Sequence, residues 1–94
     1  MEKSSRRAVY AISVAADMAE MQIQSLRVYE RRGLVSPGRT DGGTRLYSDD
    51  DVSRLLRIGE LLAEGLNLAG ISRVLELEAE LAGWRAQAER RPRA

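Results

Sequence analysis

Val14, Met18 and Met21 recur at intervals of four and three residues, a spacing that predicts a short helix burying that face. Ser13 stands where an N-cap hydroxyl would accept an orphan amide of the first turn. A second short helix is expected over about Gln24 to Arg32, anchored by Leu26, and no Gly or Pro interrupts Met21-Gln22-Ile23 between the two. Helices of about eight residues are too short to be stable alone and must pack on each other. That favours a helix-turn-helix over one long helix. Gly33 suits a left-handed stop. Leu34-Val35-Ser36 then reads as a short strand halted by Pro37, with Arg39-Thr40-Asp41-Gly42-Gly43-Thr44-Arg45 as a hairpin tip and Leu46-Tyr47 as the returning strand.

Ser48-Asp49-Asp50-Asp51 fits an N-cap with an acidic third position, opening a third helix that runs to about Glu64. Val52, Leu55, Leu56, Gly59, Leu62 and Ala63 follow helical spacing, and Ile58 and Leu61 widen the apolar arc. So wide an arc calls for two neighbours, the helix-turn-helix and a partner subunit. Gly65 is a stop, and Asn67 caps a fourth helix from Leu68 to about Arg90. Leu68, Ile71 and Leu75 are expected to pack back on the domain, whereas Val74, Leu77, Leu81, Trp84 and Ala88 form a coiled-coil seam that Gly83 weakens. In the alternative reading this helix folds onto its own domain and Trp84 is a lid. Residues 1–12 read as a flexible segment carrying Lys3, Arg6 and Arg7. Within it Val9 to Ile12 either extend the wing or cap the core, with Tyr10 in the core. The division expected is therefore 1–12 flexible, 13–75 winged helix-turn-helix, 76–90 short coiled-coil helix and 91–94 disordered.

The chemistry lies on the second helix. Gln24, Val28 and Arg31 lie opposite Leu26 and Glu30, flanked by Ser25, Arg27 and Arg32. Arginine forks onto phosphate or guanine, glutamine pairs with adenine, and a valine methyl meets a thymine methyl, so such a helix suits a major groove. Tyr29, at the edge of that face, has a hydroxyl able to reach a phosphate. The bland alternative is a solvated helix whose C-terminal arginines simply answer the macrodipole. The hairpin tip that follows, small and flanked by Arg39 and Arg45, can lie along a DNA backbone or enter a minor groove.

Composition narrows the classes. Ninety-four residues suffice for one small domain, and with no Cys and no His the chain lacks thiolate sites, the usual general base and the commonest metal ligand. No enzyme, cofactor or metal is expected. Nowhere is there a run of about 18 apolar residues, so no membrane association is expected and a cytoplasmic location is the default. Net charge is only +1, but residues 1–47 hold eight basic and five acidic groups while 48–94 hold seven and nine. Positive charge is thus concentrated where the reading elements lie.

Ile12-Ser13-Val14-Ala15-Ala16, Ser25-Leu26-Arg27-Val28-Tyr29-Glu30, Gly33-Leu34-Val35-Ser36-Pro37 with Arg39, and Gly42-Gly43-Thr44-Arg45-Leu46-Tyr47-Ser48 resemble the DNA-binding domain of MerR-family transcription regulators. With Asn67-Leu68-Ala69-Gly70-Ile71 and Glu76-Leu77-Glu78, the chain is most similar to the heat-shock repressor branch of that family. The resemblance implies a mainly α, MerR-type winged helix-turn-helix with a short β-hairpin wing and a C-terminal dimerisation helix. It also implies a two-fold dimer with antiparallel helices, Arg27, Tyr29, Arg45 and Tyr47 on the DNA backbone, Gln24 and Val28 nearer the bases, and an Hsp70-class chaperone as co-repressor. Many relatives carry a tyrosine where this chain has Val28, so a contact made there is absent here. The reading is a repressor of transcription that binds an inverted repeat of double-stranded DNA as a homodimer, with Ser13, Gln24, Ser25, Arg27, Val28, Tyr29, Arg32, Arg39, Arg45 and Tyr47 at the DNA. Two rivals stand beside it: a monomer arrayed on direct repeats, and a chaperone-modulator-like interaction module that keeps the fold without touching DNA.

Overall fold

A three-residue strand, β1 (Ala8–Tyr10), precedes the first helix, α1 (Ile12–Met18), in the computed structural model, which describes residues 6–90. The chain leaves β1 extended at Ala11 (ψ 160°) and enters the helix at once, with Ala15 N–H already bonded to Ala11 C=O at 2.9 Å. Ser13 is therefore an exposed second residue of α1 and not its cap, and no side chain caps this end. Its hydroxyl sits too far along to meet the first free amides.

The buried face of α1 also differs from the expected one. Ala15, Ala16 and Ala19 are at most 5% exposed, whereas Val14 and Met18 stay more than 40% exposed. Only Met21 of the expected face is half-buried, its methyl 3.3 Å from where a Cβ on Gly59 would sit. Small side chains let the backbone of a seven-residue helix approach its neighbours closely, and a face made of alanine has little hydrophobic contrast to read. The turn that follows closes with Glu20 N–H on Asp17 C=O (3.1 Å) and Met21 N–H on Ala16 C=O (2.9 Å). It places Glu20 at φ 56°, where a side chain is strained.

Helix α2 (Ile23–Arg31) buries Leu26 and Tyr29. It ends in the same paired pattern, Leu34 N–H on Tyr29 C=O and Gly33 N–H on Glu30 C=O, and Gly33 at φ +75° supplies the left-handed residue as the sequence predicts. Leu34 and Val35 are buried but form no strand. Their side chains enter the core while the Leu34 carbonyl accepts from Arg54 Nε and its N–H donates to Tyr29 C=O, so the Leu34 backbone is satisfied without a ladder. The first wing strand, β2 (Gly38–Arg39), instead lies beyond Pro37.

Strand β3 (Arg45–Ser48) is central in an antiparallel sheet of order β1-β3-β2. Gly38 pairs with Leu46 and Arg39 with Arg45 on one side, and Ala8 with Ser48 and Tyr10 with Tyr47 on the other. The segment expected to be flexible thus contributes an edge strand. Tyr10 is half-buried rather than in the core, its hydroxyl donating to Asp49 Oδ1 at 2.7 Å.

Helix α3 (Asp49–Ala63) opens on a reciprocal cap: Asp51 N–H donates to Ser48 Oγ at 3.0 Å and Ser48 N–H to Asp51 Oδ2 at 2.9 Å. Its buried line is Val52, Leu55, Ile58 and Leu61, leaving Leu56 and Leu62 exposed. The chain divides into two compact units, Met1–Glu60 and Leu61–Ala94. In the first, α1 packs on α2, β1 and β3. In the second, the chain turns at Gly65 into α4 (Leu68–Arg90), whose Gly70 N–H is capped by Asn67 Oδ1 at 2.8 Å. The helix is continuous across the expected boundary at 75–76. Lys3 and the tail 91–94 fall outside the described residues.

Candidate nucleic-acid interface

Because Leu26 and Tyr29 turn α2 toward the core, the opposite face of the helix is left outward. Gln24, Arg27, Arg31 and Arg32 are exposed, and Ser25 and Val28 half-buried. Arg27, Arg31 and Arg32 carry no hydrogen bond or ion pair among the described residues. Gln24, Arg27, Val28 and Arg31 recur at helical spacing and so form one surface with donors, acceptors and a methyl group, the repertoire that reads base edges and grips phosphates.

The wing is attached to this helix by one carboxylate. Glu30 Oε2 accepts from Arg39 Nη2 at 2.6 Å and its Oε1 accepts from Arg45 Nε. Arg39 also donates to the Gly43 carbonyl at 3.1 Å. The tip itself is closed by Thr40 N–H on Thr44 C=O and Gly43 N–H on Thr40 C=O. Gly43 there adopts φ +85°, which an L side chain resists. The bond to Glu30 raises the pKa of Arg45 above its ordinary value, so its charge is permanent. The structure thus brings Arg39 and Arg45 together beside α2, as two cations sharing one anion and still partly open to solvent.

Sequence reasoning gave Glu30 no role beyond a place beside Leu26. One signal was available: a carboxylate in the last turn of a helix opposes the macrodipole and needs a partner elsewhere. Two arginines on the following hairpin are that partner.

The two tyrosines expected at the DNA backbone set their rings in the core. Tyr29 is 8% exposed and Tyr47 fully buried, each ring supplying apolar area to the core. The Tyr47 hydroxyl finds no hydrogen-bond partner among the described residues. Its pKa is raised, first by burial and then by the charge of Glu30. A raised folded-state value means that the stability tied to the neutral phenol is whole below the ordinary value of 10.0 and is lost as pH climbs through the folded value. Tyr47→Phe should therefore stabilise the fold by about 1 kcal/mol at neutral pH, since it removes an unpaired buried group, and should lessen the alkaline loss. Urea unfolding at neutral and alkaline pH checks both; a destabilised Phe variant would show that the hydroxyl is satisfied.

In the second unit, Val74 is half-buried and Ala88 exposed, while Leu77, Leu81 and Trp84 are 47%, 48% and 67% exposed. Trp84 is not a lid. Every residue from Glu76 to Arg90 is exposed, so the seam residues stand bare along a continuous helix. No described helix is long and apolar enough to cross a membrane.

Comparison with known proteins gives this geometry a context. The protein named heat shock protein HspR of Streptomyces coelicolor is 49% identical over 81 residues, covering 85% of this chain and 54% of the relative. The HTH-type transcriptional regulator GlnR of Bacillus anthracis is 44% identical over 75 residues, covering 78% and 58%. The chain thus spans little more than half the length of these relatives, one named as a heat shock protein and the other as a transcriptional regulator. Among solved structures, the N-terminal part of MtaN, the Bacillus subtilis multidrug transporter activator, superposes with a TM-score of 0.66 at 27% identity, covering 86% of this chain and 88% of that one. HiNmlR, a MerR family regulator lacking the sensor domain and bound to promoter DNA, gives 0.68 at 27% identity, covering 85% and 67%. Residues 10–78 match the profile of the MerR HTH family regulatory proteins, a span that holds the outward face of α2 and the wing, and the chain belongs to that family.

Proposed function

We propose that this chain is a sequence-specific regulator of transcription, a repressor, that binds an inverted repeat of double-stranded DNA as a homodimer. Helix α2 enters the major groove and presents Gln24 and Val28 to base edges, with Ser25, Arg27 and Arg32 beside them. Arg39 and Arg45 of the wing meet the flanking backbone, and Ser13, exposed near the start of α1, adds a hydroxyl contact to the DNA. The observation that carries the reading is the outward face of α2, where Arg27, Arg31 and Arg32 have no hydrogen-bond or ion-pair partner among the described residues, next to a wing that offers two further arginines.

The dimer rests on the bare apolar stripe of α4, Leu77, Leu81 and Trp84 with Val74 and Ala88, whose exposure is out of keeping with an isolated chain in water. Two subunits joined there would read two half-sites. A heat-shock role, and with it an Hsp70-class co-repressor, rests on the likeness to HspR alone. DNA binding places the protein in the cytoplasm, on the nucleoid.

Selection from a pool of random duplexes at several salt concentrations tests this directly. The expected result is recovery of an inverted repeat, with log affinity falling linearly against log salt. Recovery of direct repeats would favour a monomer array, and no retention at low salt would end the DNA reading. On the recovered site, Arg27→Ala should weaken binding to all sequences and flatten the salt slope by about 0.9, the loss of one phosphate contact. Gln24→Ala should instead erode discrimination by about 1–3 kcal/mol, as loss of a bidentate base contact does.

A further inference from the structure

Arg39 and Arg45 are direct partners across β2 and β3, and like charges in that position repel. Glu30, with its side chain only 19% exposed, resolves the conflict by accepting from both. It uses one Nη of Arg39 and the Nε of Arg45, whereas each guanidinium has five N–H donors, and the two side chains remain 45% and 34% exposed. The outward donors of both groups are thus still available, but their direction is fixed relative to α2. We propose that Glu30 is a positioning residue that sets sequence discrimination: by holding both wing arginines against α2, it lets them grip phosphates only when that helix is seated in its groove. The proposal rests on the DNA-binding reading above.

The chemistry supports a selective and not merely a structural effect. Long arginine side chains, once free, can reach phosphates of any duplex in many orientations, and that contact carries no sequence information. An anion beside them does the reverse: it opposes approach of the backbone in general and fixes the geometry in which approach succeeds. Two guanidinium groups on one carboxylate also differ from an ordinary exposed ion pair, because breaking one bond leaves the other to hold the wing in place.

Glu30→Gln is the test, with affinity for the selected site and for random duplex measured across a salt series and folding monitored by circular dichroism. Discrimination between the two duplexes should fall about tenfold, and the slope for random duplex should steepen by about 0.9, the equivalent of one more phosphate neutralised. Glu30→Asp, which keeps the charge, should recover part of the discrimination. An equal loss on both duplexes, or an unchanged ratio and slope, would reduce Glu30 to a brace and overturn the proposal. Should Glu30→Gln fail to fold, Arg39→Lys with Arg45→Lys keeps both positive charges but loses the fork; a lowered ratio there supports the proposal and an unchanged one overturns it. Absence of salt-sensitive binding by the unaltered protein would instead remove the DNA reading itself, and the proposal with it.

Discussion

Leu81→Glu combined with Trp84→Glu should convert the protein to a monomer and lower its affinity for an inverted repeat by about 10²–10⁴-fold, the range that joining two binding modules contributes. Both side chains are about half or more exposed in the single chain, so the changes leave its own core untouched, and glutamate is a good helix former. Two carboxylates facing their symmetry mates in an apolar seam, by contrast, are buried without partners, which association cannot tolerate. Affinity for an isolated half-site should stay as it was, because α2 and the wing lie far along the chain from these positions. Sedimentation of the free protein and titration of full and half sites decide the matter together. A mass unchanged by the substitutions, whether monomeric or dimeric from the start, would end the assignment of this stripe to dimerisation.

How much of this was legible in the sequence depended on how local the cause was. The caps at Ser48 and Asp51 and at Asn67, the stop at Gly33 and the extent of α4 all follow from hydrogen bonds between residues three to five apart, and the structure forms them as expected. The buried face of α1 failed because alanines at 15, 16 and 19 fill it, and hydrophobic periodicity weights Val14 and Met18 instead. Strand β1 was legible only as one of two readings, an extended piece on the wing, because its partner β3 lies about forty residues away and only the closed sheet gives that pairing value. At the site, the outward residues of α2 and the arginines of the wing could be listed by residue type. The carboxylate that joins them could not, since its meaning appears only when the hairpin folds back on the helix. Tyrosine was ambiguous in principle, having an apolar ring and a polar tip, and here the ring decided the position of Tyr47 while the tip was left unpaired among the described residues.

Leu26→Ala should cost about 2–5 kcal/mol, the usual range for emptying a fully buried leucine site. Leu26 has no exposure at all and is the anchor of a nine-residue helix. Neither α1 nor α2 is long enough to be stable alone, so each depends on the packing between them. A domain of this size has a total stability of roughly 5–14 kcal/mol, so the substitution removes a large share of it and should lower the melting temperature by about 8–40 °C. The consequence for DNA should differ in kind from that of Glu30→Gln. Near the lowered melting temperature, binding to selected and random duplexes should fall in parallel, because the unfolded fraction binds neither, whereas loss of the Glu30 clamp should separate the two. Thermal unfolding followed by circular dichroism, with binding measured below and near the new midpoint, checks both statements. A loss below about 1 kcal/mol would mean that α1 and α2 collapse onto the vacated space, and that the alanine face of α1 carries the packing of the reading helix by itself.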